Sequence, residues 1–370
     1  MNEKNFLYYF FTPLRFLLYP FSLLYGAIIW LRNKLYDSGF SSSIEFSLPV
    51  INVGNLSVGG TGKTPHVEYL VQLLQYRYKV ATMSRGYKRH TQGFLLAEPG
   101  TNALRIGDEP MQYFMKFPEL TVCVAEERLT GIPALLQRKP ETEVIILDDA
   151  YQHRSVKPGL NLLITDYSKP FYNDHILPLG RLRENRSAYK RANMILVSKC
   201  PQDISETRAQ SIKEQIAPLA HQQVYFTGIQ YGQAYNLLSR EPIAIDNQNV
   251  VLVCCIANPA TLISFIEAKA AAVHVLSYPD HHYFVTKDLE EIKAAYENWN
   301  LKNKIIVTTE KDATRLYLHQ QWLQDCGITI VVLPIQVNIL LNQQAAFDEQ
   351  VNLFVEKTIA ENQWTDNEQG

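Results

Sequence analysis

From residue 48 onward, the hydrophobic positions form short continuous runs separated by amphipathic stretches. The runs are LPVINVG, KVATMS, LTVCVA, TEVIILDD, LNLLITD and ANMILVSK. Continuous apolar runs, unlike alternating ones, are typical of parallel strands that are covered on both faces. After the first run, KTPHVEYLVQLLQYR places Val67, Leu70, Val71 and Leu74 on one face of a helix. The pattern predicts an α/β domain with a doubly wound, mostly parallel sheet.

A change in pattern between residues 202 and 238 predicts a second domain. The polar helix PQDISETRAQSIKEQIAPL precedes QQVYFTGIQYGQAYNL, which reads as one or two strands that bridge domains. Strand-then-helix alternation then starts again. We therefore expect a core domain at 41–221, a smaller α/β domain with hinge strands at 222–335, and a C-terminal helix and tail at 336–370. The sequence leaves open which domain the last helix packs on, and it predicts that WTDNEQG is frayed.

Residues 1–40 differ from the rest because the stretch FLYYFFTPLRFLLYPFSLLYGAIIWLRNK, residues 6–34, is almost all aliphatic and aromatic. Residues 16–31 carry no charge, but they are fewer than the roughly 20 residues that a membrane-spanning helix needs. The polar and basic residues at 32–34 follow where an anionic headgroup layer would meet them. We expect an interfacial or partly inserted helix at a membrane surface. The alternative is a pair of helices buried on their own domain.

Composition excludes several other classes. The 370 residues suffice for two domains, and a formal net charge of −2 gives no general attraction to nucleic acid. We expect no nucleic-acid partner. The five cysteines have no C-x-x-C spacing, so neither a disulfide framework nor a zinc site is expected.

The stretch NVGNLSVGGTGKTP, residues 52–65, has the form of a phosphate-binding loop between a strand and a helix. Backbone N–H groups of such a turn point at phosphate oxygens. Lys63 would reach the β- and γ-phosphates, and the Thr64 hydroxyl would bind Mg²⁺. The first glycine of G-x-x-x-x-G-K-[ST] is replaced by Ser57, so a purely structural glycine turn is the alternative. The predicted nucleotide-binding residues are Ser57, Val58, Gly59, Gly60, Thr61, Gly62, Lys63 and Thr64.

Two adjacent carboxylates, Asp148 and Asp149, end the apolar run TEVIILDD. Neighbouring negative charges at a strand end are unfavourable unless a cation or a ligand compensates them. At least one of them is therefore predicted to bind Mg²⁺, directly or through water. An N-cap pair is the alternative.

Transfer of phosphate to a hydroxyl also needs a group that accepts the proton. Asp108 and Glu109 in IGDEPMQY are candidates, although acidic residues are also favoured at any helix start. Asp280, His281 and His282 in SYPDHHYF offer a histidine beside an aspartate, which could tune a base or simply form a surface pair.

The segment DHILPLGRLREN concentrates arginines around Arg183 and Glu184. Arginines at this density bind phosphate in a bidentate manner, but a solvated loop has the same composition.

Taken together, the motifs resemble those of the tetraacyldisaccharide 4'-kinase family of lipid A synthesis. VGNLSVGGTGKTP, SRGY, GDEP, DDAYQHR, LPLGRLRE, IANP, PDHH and TTEKDATRL occur in that family's order between about residues 50 and 315. Ser57 in place of glycine is also usual in the family. The sequence departs from the family at DDAYQ, at Lys88 and after Asn173, which affects the fine positioning of the acceptor.

The resemblance implies a RecA-like P-loop core with a smaller α/β domain. It implies that the γ-phosphate of ATP moves, with Mg²⁺, to the 4'-hydroxyl of a tetraacylated glucosamine disaccharide 1-phosphate, giving lipid IVA. By position, Lys63 and Asp108 are implied as catalytic, Asp108 as the general base with His281 as its partner after domain closure. Arg183 and Glu184 are implied to meet the substrate. The glycolipid partner implies the cytoplasmic face of the bacterial inner membrane.

Three alternatives remain at this stage. A membrane-associated P-loop ATPase switch would have no small-molecule acceptor. A soluble ligating or carboxylating P-loop enzyme would not need the apolar N-terminus. A membrane-bound nucleotide sensor would bind nucleotide without turnover.

Overall fold

The structure, a computed structural model, describes the backbone of residues 3–256 and 259–368 and the side chains of residues 17–256 and 259–362. Ala257 and Asn258 of the IANP motif lie outside the described residues.

The helices are α1 (Glu3–Asp37), α2 (Lys63–Leu74), α3 (Ala103–Ile106), α4 (Asp108–Lys116), α5 (Arg128–Arg138), α6 (Glu206–Ile216), α7 (Ala260–Glu267), α8 (Thr286–Asn298), α9 (Glu310–Leu316), α10 (Gln320–Asp325) and α11 (Gln344–Glu368). The strands are β1 (Val50–Asn55), β2 (Val80–Ser84), β3 (Leu95–Leu96), β4 (Thr121–Val124), β5 (Val144–Asp148), β6 (Leu160–Asp166), β7 (Met194–Ser198), β8 (Gln223–Tyr231), β9 (Tyr235–Asn236), β10 (Asn249–Cys254), β11 (Ala272–Ser277), β12 (Lys304–Thr309), β13 (Ile330–Leu333) and β14 (Ile335–Ile339).

These elements form two compact units. The first contains the described residues of Met1–Arg85, Glu119–Ile229 and Val337–Gly370, and the second contains Gly86–Pro118 and the described residues of Gln230–Gln336. Residues 86–118 thus belong to the second unit, whereas the sequence led us to expect them in the core domain. The chain leaves the first unit after β2 and returns to it before β4, and no change of composition marks either point.

The first unit is built on a parallel sheet in the order β8-β7-β6-β1-β5-β2-β4. Strand β1 lies in its middle, and its Val53 is in register with Asp148 of β5. Every residue of β1, β2, β5, β6 and β7 is buried. Burial on both faces explains why these strands read as continuous apolar runs. The predicted doubly wound α/β fold is confirmed.

The last helix, α11, packs on the first unit. Asp348 accepts a hydrogen bond from the Tyr69 hydroxyl of α2 at 2.7 Å. The ring of Phe347 packs edge-on against Tyr69 and Tyr225, with centroids 5.7 and 5.1 Å apart. The helix extends to Glu368, so it includes most of the tail predicted to be frayed.

The second unit has its own sheet, in the order β11-β10-β12-β13-β9. The four neighbouring strands β11, β10, β12 and β13 run parallel, and the short β9 is antiparallel to β13. Asp108 lies in α4 and Arg315 lies in α9, and both helices belong to this unit. Each helix begins with acidic residues, which the helix dipole favours.

The N-terminal helix α1 has two faces with different surroundings. Ser22 is buried, and the side chains of Tyr25 and Asn33 contact other parts of the first unit. The opposite face is exposed and apolar, with fractional exposures from 56% to 68% at Leu17, Phe21, Leu24, Ile28 and Leu31. Residues 3–37 form a single helix with one exposed face, so the buried pair of helices considered from the sequence is not what the structure has. The interfacial helix at a membrane surface stays a prediction. In the described part of the chain, no helix has both the length and the apolarity to cross a membrane.

Candidate active site

The loop between β1 and α2 has the backbone conformation that phosphate binding requires. Gly62 caps α2 with φ at 88°, and Gly59 has φ at 103°. These left-handed conformations are strained for residues with a Cβ atom, so glycine is needed at both positions. Lys63 and Thr64 then open α2, where free backbone N–H groups attract anions.

Side chains of neighbouring residues hold this loop in place through hydrogen bonds. The Asn55 amide donates to the Thr61 hydroxyl at 2.8 Å, and the Ser198 hydroxyl donates to the Thr61 carbonyl at 2.7 Å. Lys199 donates to the carbonyl of Gly60 and forms an ion pair with Asp166 at 2.9 Å. The loop is therefore fixed by strands β6 and β7, which rigidifies its phosphate-facing groups.

The predicted acidic pair lies beside the loop. Asp148 ends β5 and is buried, and the backbone N–H of Asp149 donates to the carbonyl of Val53 in β1 at 2.9 Å. Asp149 has φ at 51°, which is uncommon for a residue other than glycine and is found at functional sites. Fully buried Arg128 donates to the Asp148 carbonyl at 3.1 Å, and burial lowers the pKa of Arg128 to about 10.

Two cations converge on Asp149. Lys63 Nζ lies 3.5 Å from its Oδ1, and Arg183 Nη1 donates to both carboxylate oxygens at 3.1 Å. Burial raises the pKa of Asp149, but the charges of Lys63 and Arg183 more than offset this and hold the pKa below its usual value. The structure thus brings the predicted residues Lys63, Asp149 and Arg183 together.

The segment around Arg183 pairs directly with the phosphate loop. Its backbone N–H donates to the carbonyl of Leu56 at 2.7 Å, and the N–H of Val58 donates to the carbonyl of Arg181 at 2.8 Å. Ser57 and Leu182 face each other in this antiparallel bridge. Glycine at position 57 would leave this pairing intact, and the structure offers no physical reason for the serine.

Glu184 is only 1% exposed, and its carboxylate is engaged within the protein. Oε1 accepts from Arg191 Nη2 at 3.1 Å, and Oε2 accepts from the Asn33 amide of α1 at 2.8 Å. Its contacts position the loop that carries Arg183.

In the second unit, Asp108 is 4% exposed and lies at the start of α4. Its Oδ2 accepts from His281 Nδ1 at 3.0 Å and from Arg315 Nε at 3.0 Å, and Arg315 Nη2 is 2.9 Å away. Burial raises the pKa of Asp108, while His281 and Arg315 together outweigh burial and lower it. The sequence led us to expect that domain closure brings His281 to Asp108. The structure corrects this, because the pair is complete within one unit.

Arg315 is fully buried and organises this cluster. Its Nη1 donates to the His282 carbonyl at 3.0 Å and to Asp312 Oδ1 at 3.2 Å. Asp312 in turn accepts from the Thr309 hydroxyl at 2.8 Å and from the Cys255 backbone at 3.0 Å. His282 points elsewhere and pairs with Asp288 at 2.7 Å.

Sequence reasoning missed Arg315, Lys199 and Gln152 as site residues. Gln152 donates to the Asn55 carbonyl at 3.0 Å and accepts from Arg183 at 3.3 Å. Arg315 lies in the motif TTEKDATRL and Gln152 in the motif DDAYQHR. Their position in these motifs was the sequence feature that could have identified them. Lys199 follows the apolar strand β7, and nothing in its local sequence marks it.

The described residues contain no group of three or more His, Cys, Asp or Glu side chains that could hold a metal ion. A site made of protein ligands alone is therefore not found among them. A magnesium ion held jointly by nucleotide phosphates needs only one or two carboxylates.

Comparison with known proteins gives a consistent result. The family described as Tetraacyldisaccharide-1-P 4'-kinase (LpxK) matches residues 14–356. A protein from Bacteroides thetaiotaomicron named Tetraacyldisaccharide 4'-kinase is 43% identical over 364 residues, which are 95% of this chain and 96% of that protein. A protein of the same name from Flavobacterium psychrophilum is 44% identical over 349 residues, 93% of this chain and 98% of that protein.

A solved structure agrees with these sequence matches. The crystal structure of the "apo" form of LpxK from Aquifex aeolicus in complex with ATP has a TM-score of 0.72 and 28% identity. The match covers 92% of this chain and 99% of that chain. The chain therefore belongs to the Tetraacyldisaccharide-1-P 4'-kinase family.

Proposed function

We propose that this enzyme transfers the γ-phosphate of ATP to the 4'-hydroxyl of a tetraacylated glucosamine disaccharide 1-phosphate, forming lipid IVA. The observation that carries the proposal is the convergence of Lys63 and Arg183 on Asp149 beside a glycine-rich turn. A triphosphate on this turn meets two cations and a carboxylate, which are the groups that phosphoryl transfer uses. The identity of the acceptor is inferred from the family to which the chain belongs.

ATP binds through residues 57–64 in this proposal. The N–H groups at the start of α2 contact phosphate oxygens, and Lys63 exchanges its contact with Asp149 for the γ-phosphate. Arg183 binds phosphate in the same way, because a guanidinium matches phosphate geometry.

Magnesium fits the oxygen donors at this edge of the sheet. Thr64 is the second residue of α2. Asp148 ends β5, which is in register with β1, and Asp149 follows it. When bound, Mg²⁺ would neutralise charge that develops on the phosphates. Asp149, already polarised by two cations, and Asp148 would hold it with Thr64.

Asp108 accepts the proton of the 4'-hydroxyl as general base, with His281 as its partner. Its contacts with Arg315 and His281 keep the carboxylate ionised at neutral pH, and a base must be ionised to accept a proton. Arg183 also orients the acceptor, and Glu184 acts by holding the Arg183 loop.

The enzyme works at a membrane surface, on the cytoplasmic face of the bacterial inner membrane. The support is the exposed apolar face of α1, because a row of five large apolar side chains at helical spacing suits an acyl boundary. The acyl chains of the substrate stay in the bilayer while its sugar is phosphorylated.

The direct test is an assay with γ-labelled ATP and the disaccharide 1-phosphate in mixed detergent micelles. We expect label in a lipid product that depends on both substrates and on Lys63, with Lys63→Met as the control. Label that appears only as inorganic phosphate, at a rate that the glycolipid does not change, would instead support the ATPase-switch alternative.

A further inference from the structure

The inner face of α1 is connected to the two loops that flank the phosphate loop. The Tyr25 hydroxyl donates to the carbonyl of Arg183 at 3.1 Å, and the Asn33 amide donates to Glu184 at 2.8 Å. On the other loop, Arg32 Nη2 donates to the carbonyl of Gln152 at 2.7 Å. All three donors are polar groups on a helix whose exposed face is apolar at Leu17, Phe21, Leu24, Ile28 and Leu31.

These contacts reach residues that touch the proposed phosphate site. Arg183 is held from three directions: Leu56 binds its N–H, Tyr25 binds its carbonyl, and Asp149 binds its guanidinium. Gln152 links the same guanidinium to the carbonyl of Asn55 at the end of β1. Tyr25 of α1 therefore contacts Arg183 directly, and on the path from Arg32 one residue, Gln152, lies between α1 and the Arg183 guanidinium.

An anchor alone would not need this arrangement. Membrane attachment requires the exposed apolar face, which carries none of these donors. The inner face also fixes α1 through Ser22, whose hydroxyl donates to the carbonyl of Ile176 at 2.8 Å, and Arg154 pairs with Asp37 at 2.8 Å near the helix end.

We propose that the inner face of α1 is a positioning element of the phosphate site, in which Tyr25, Arg32 and Asn33 hold the loops that aim Arg183 at the transferring phosphate. Tyr25 and Asn33 act on the loop of Arg183 and Glu184, and Arg32 acts on the loop of Gln152. The helix thus has separate roles on its two faces. The expected loss of turnover rests on the proposed function. The hydrogen bonds between α1 and the two loops do not depend on it.

The test compares variants on the two faces. Tyr25→Phe with Asn33→Leu removes two hydrogen bonds without changing charge. Leu24→Ser with Ile28→Ser alters only the exposed face. The first measurement is amide hydrogen exchange of residues 177–183, in which the N–H groups of Leu177, Gly180, Leu182 and Arg183 donate to the carbonyls of Leu182, Ile176, His175 and Leu56.

We expect faster exchange of residues 177–183 in the inner-face variant and wild-type exchange in the outer-face variant. Binding to vesicles of phosphatidylglycerol and phosphatidylethanolamine should show the reverse, with loss only in the outer-face variant. In mixed micelles, the inner-face variant should lose at least tenfold in kcat, because a misplacement of about 1 Å can cost on the order of 100-fold in rate. Its KM for ATP should change less.

Wild-type exchange in the inner-face variant would overturn the proposal, and so would faster exchange with an unchanged kcat. The single variant Tyr25→Phe, which removes one oxygen atom, covers the case in which the double variant fails to fold. If the wild-type chain transfers no label to the glycolipid, the proposed function fails, while the exchange result still decides whether α1 positions the loop.

Discussion

Lys311 Nζ lies 3.2 Å from His281 Nε2, while Nδ1 of the same imidazole lies 3.0 Å from Asp108 Oδ2. A lysine ammonium only donates and a carboxylate only accepts, so Nε2 is an acceptor and Nδ1 carries the proton. The imidazole is therefore held from both sides, by Asp108 at Nδ1 and by Lys311 at Nε2. Asp280 is more distant, 3.8 Å from Lys311 and 3.9 Å from His281, and the Tyr87 ring packs edge-on against the imidazole.

Replacing Lys311 should lower turnover, because Lys311 and Asp108 together fix the orientation of the His281 imidazole. Lys311→Met removes the donor to Nε2, so the ring is less well held against Asp108. We expect kcat to fall by roughly tenfold, with little change in the KM for ATP, because the partner of the proposed base is misplaced. Lys311→Arg, which keeps a donor and a cation, is the matched control. An unchanged kcat in Lys311→Met would contradict the role assigned to this contact.

Removing the carboxylate of Asp108 should affect turnover and spare nucleotide binding. For Asp108→Asn we expect kcat to fall by roughly 10²–10⁴-fold, the range for loss of a general base, with little change in the KM for ATP. Steady-state kinetics in mixed micelles would measure both. An equal loss of ATP affinity would mean that Asp108 serves nucleotide or metal binding instead.

The pH dependence of the enzyme should not include an acid limb from Asp108 above pH 5. Its pKa is lowered in the folded state, so the carboxylate stays ionised until the pH falls below the ordinary value of 3.8. Any stability that its ion pair with Arg315 contributes is likewise present above that value and is lost below it. A kcat profile of wild type between pH 5 and 8 checks this, and a limb that Asp108→Glu moves would contradict it.

Lys63→Met should lower ATP affinity and turnover together. The substitution removes the cation of the phosphate loop. Of the two cations that contact Asp149, Lys63 and Arg183, it leaves only Arg183. We expect the pKa of Asp149 to rise, because one of its two stabilising charges is gone. Binding of a fluorescent ATP analogue and turnover would both be measured, with Lys63→Arg as the control that keeps the charge.

The parts of this site that could be predicted from the sequence are those whose residues lie close together in the chain or at the ends of neighbouring strands. The phosphate loop was predicted because Gly62, Lys63 and α2 are adjacent in the chain and the required backbone conformation is local. Asp148 and Asp149 were predicted because parallel strands bring their carboxyl ends to one edge.

Other features depend on contacts between distant residues. Arg315 meets Asp108 across 207 positions, and Lys199 meets Gly60 across 139. Hydrophobic periodicity does not encode such polar pairs. The membership of residues 86–118 in the second unit is likewise determined by tertiary packing, since α4 packs in that unit through Asp108 and through the pair between Lys116 and Glu310 at 2.8 Å.

His66 should make the stability of the fold depend on pH. It is buried on α2, where Nδ1 contacts the carbonyl of Gly62 at 2.7 Å and Nε2 contacts the Thr227 hydroxyl at 3.0 Å. Burial lowers its pKa from 6.5 to about 4. The unfolded chain therefore binds more protons than the folded chain between these two pH values, and the free energy of unfolding falls as the pH is lowered from 6.5 to 4.

The size of this effect is on the order of 3 kcal/mol, because each unit of pKa corresponds to about 1.4 kcal/mol. His66→Asn removes the titrating group and keeps an amide that donates to the Gly62 carbonyl. Urea unfolding of both proteins between pH 4 and 7 would measure the difference, which should shrink as the pH falls. His153 also has its pKa lowered to about 4, but it is present in both proteins and cancels in the comparison. A constant difference across this range would mean that the pKa of His66 is the same in the folded and unfolded chains, which would contradict the prediction.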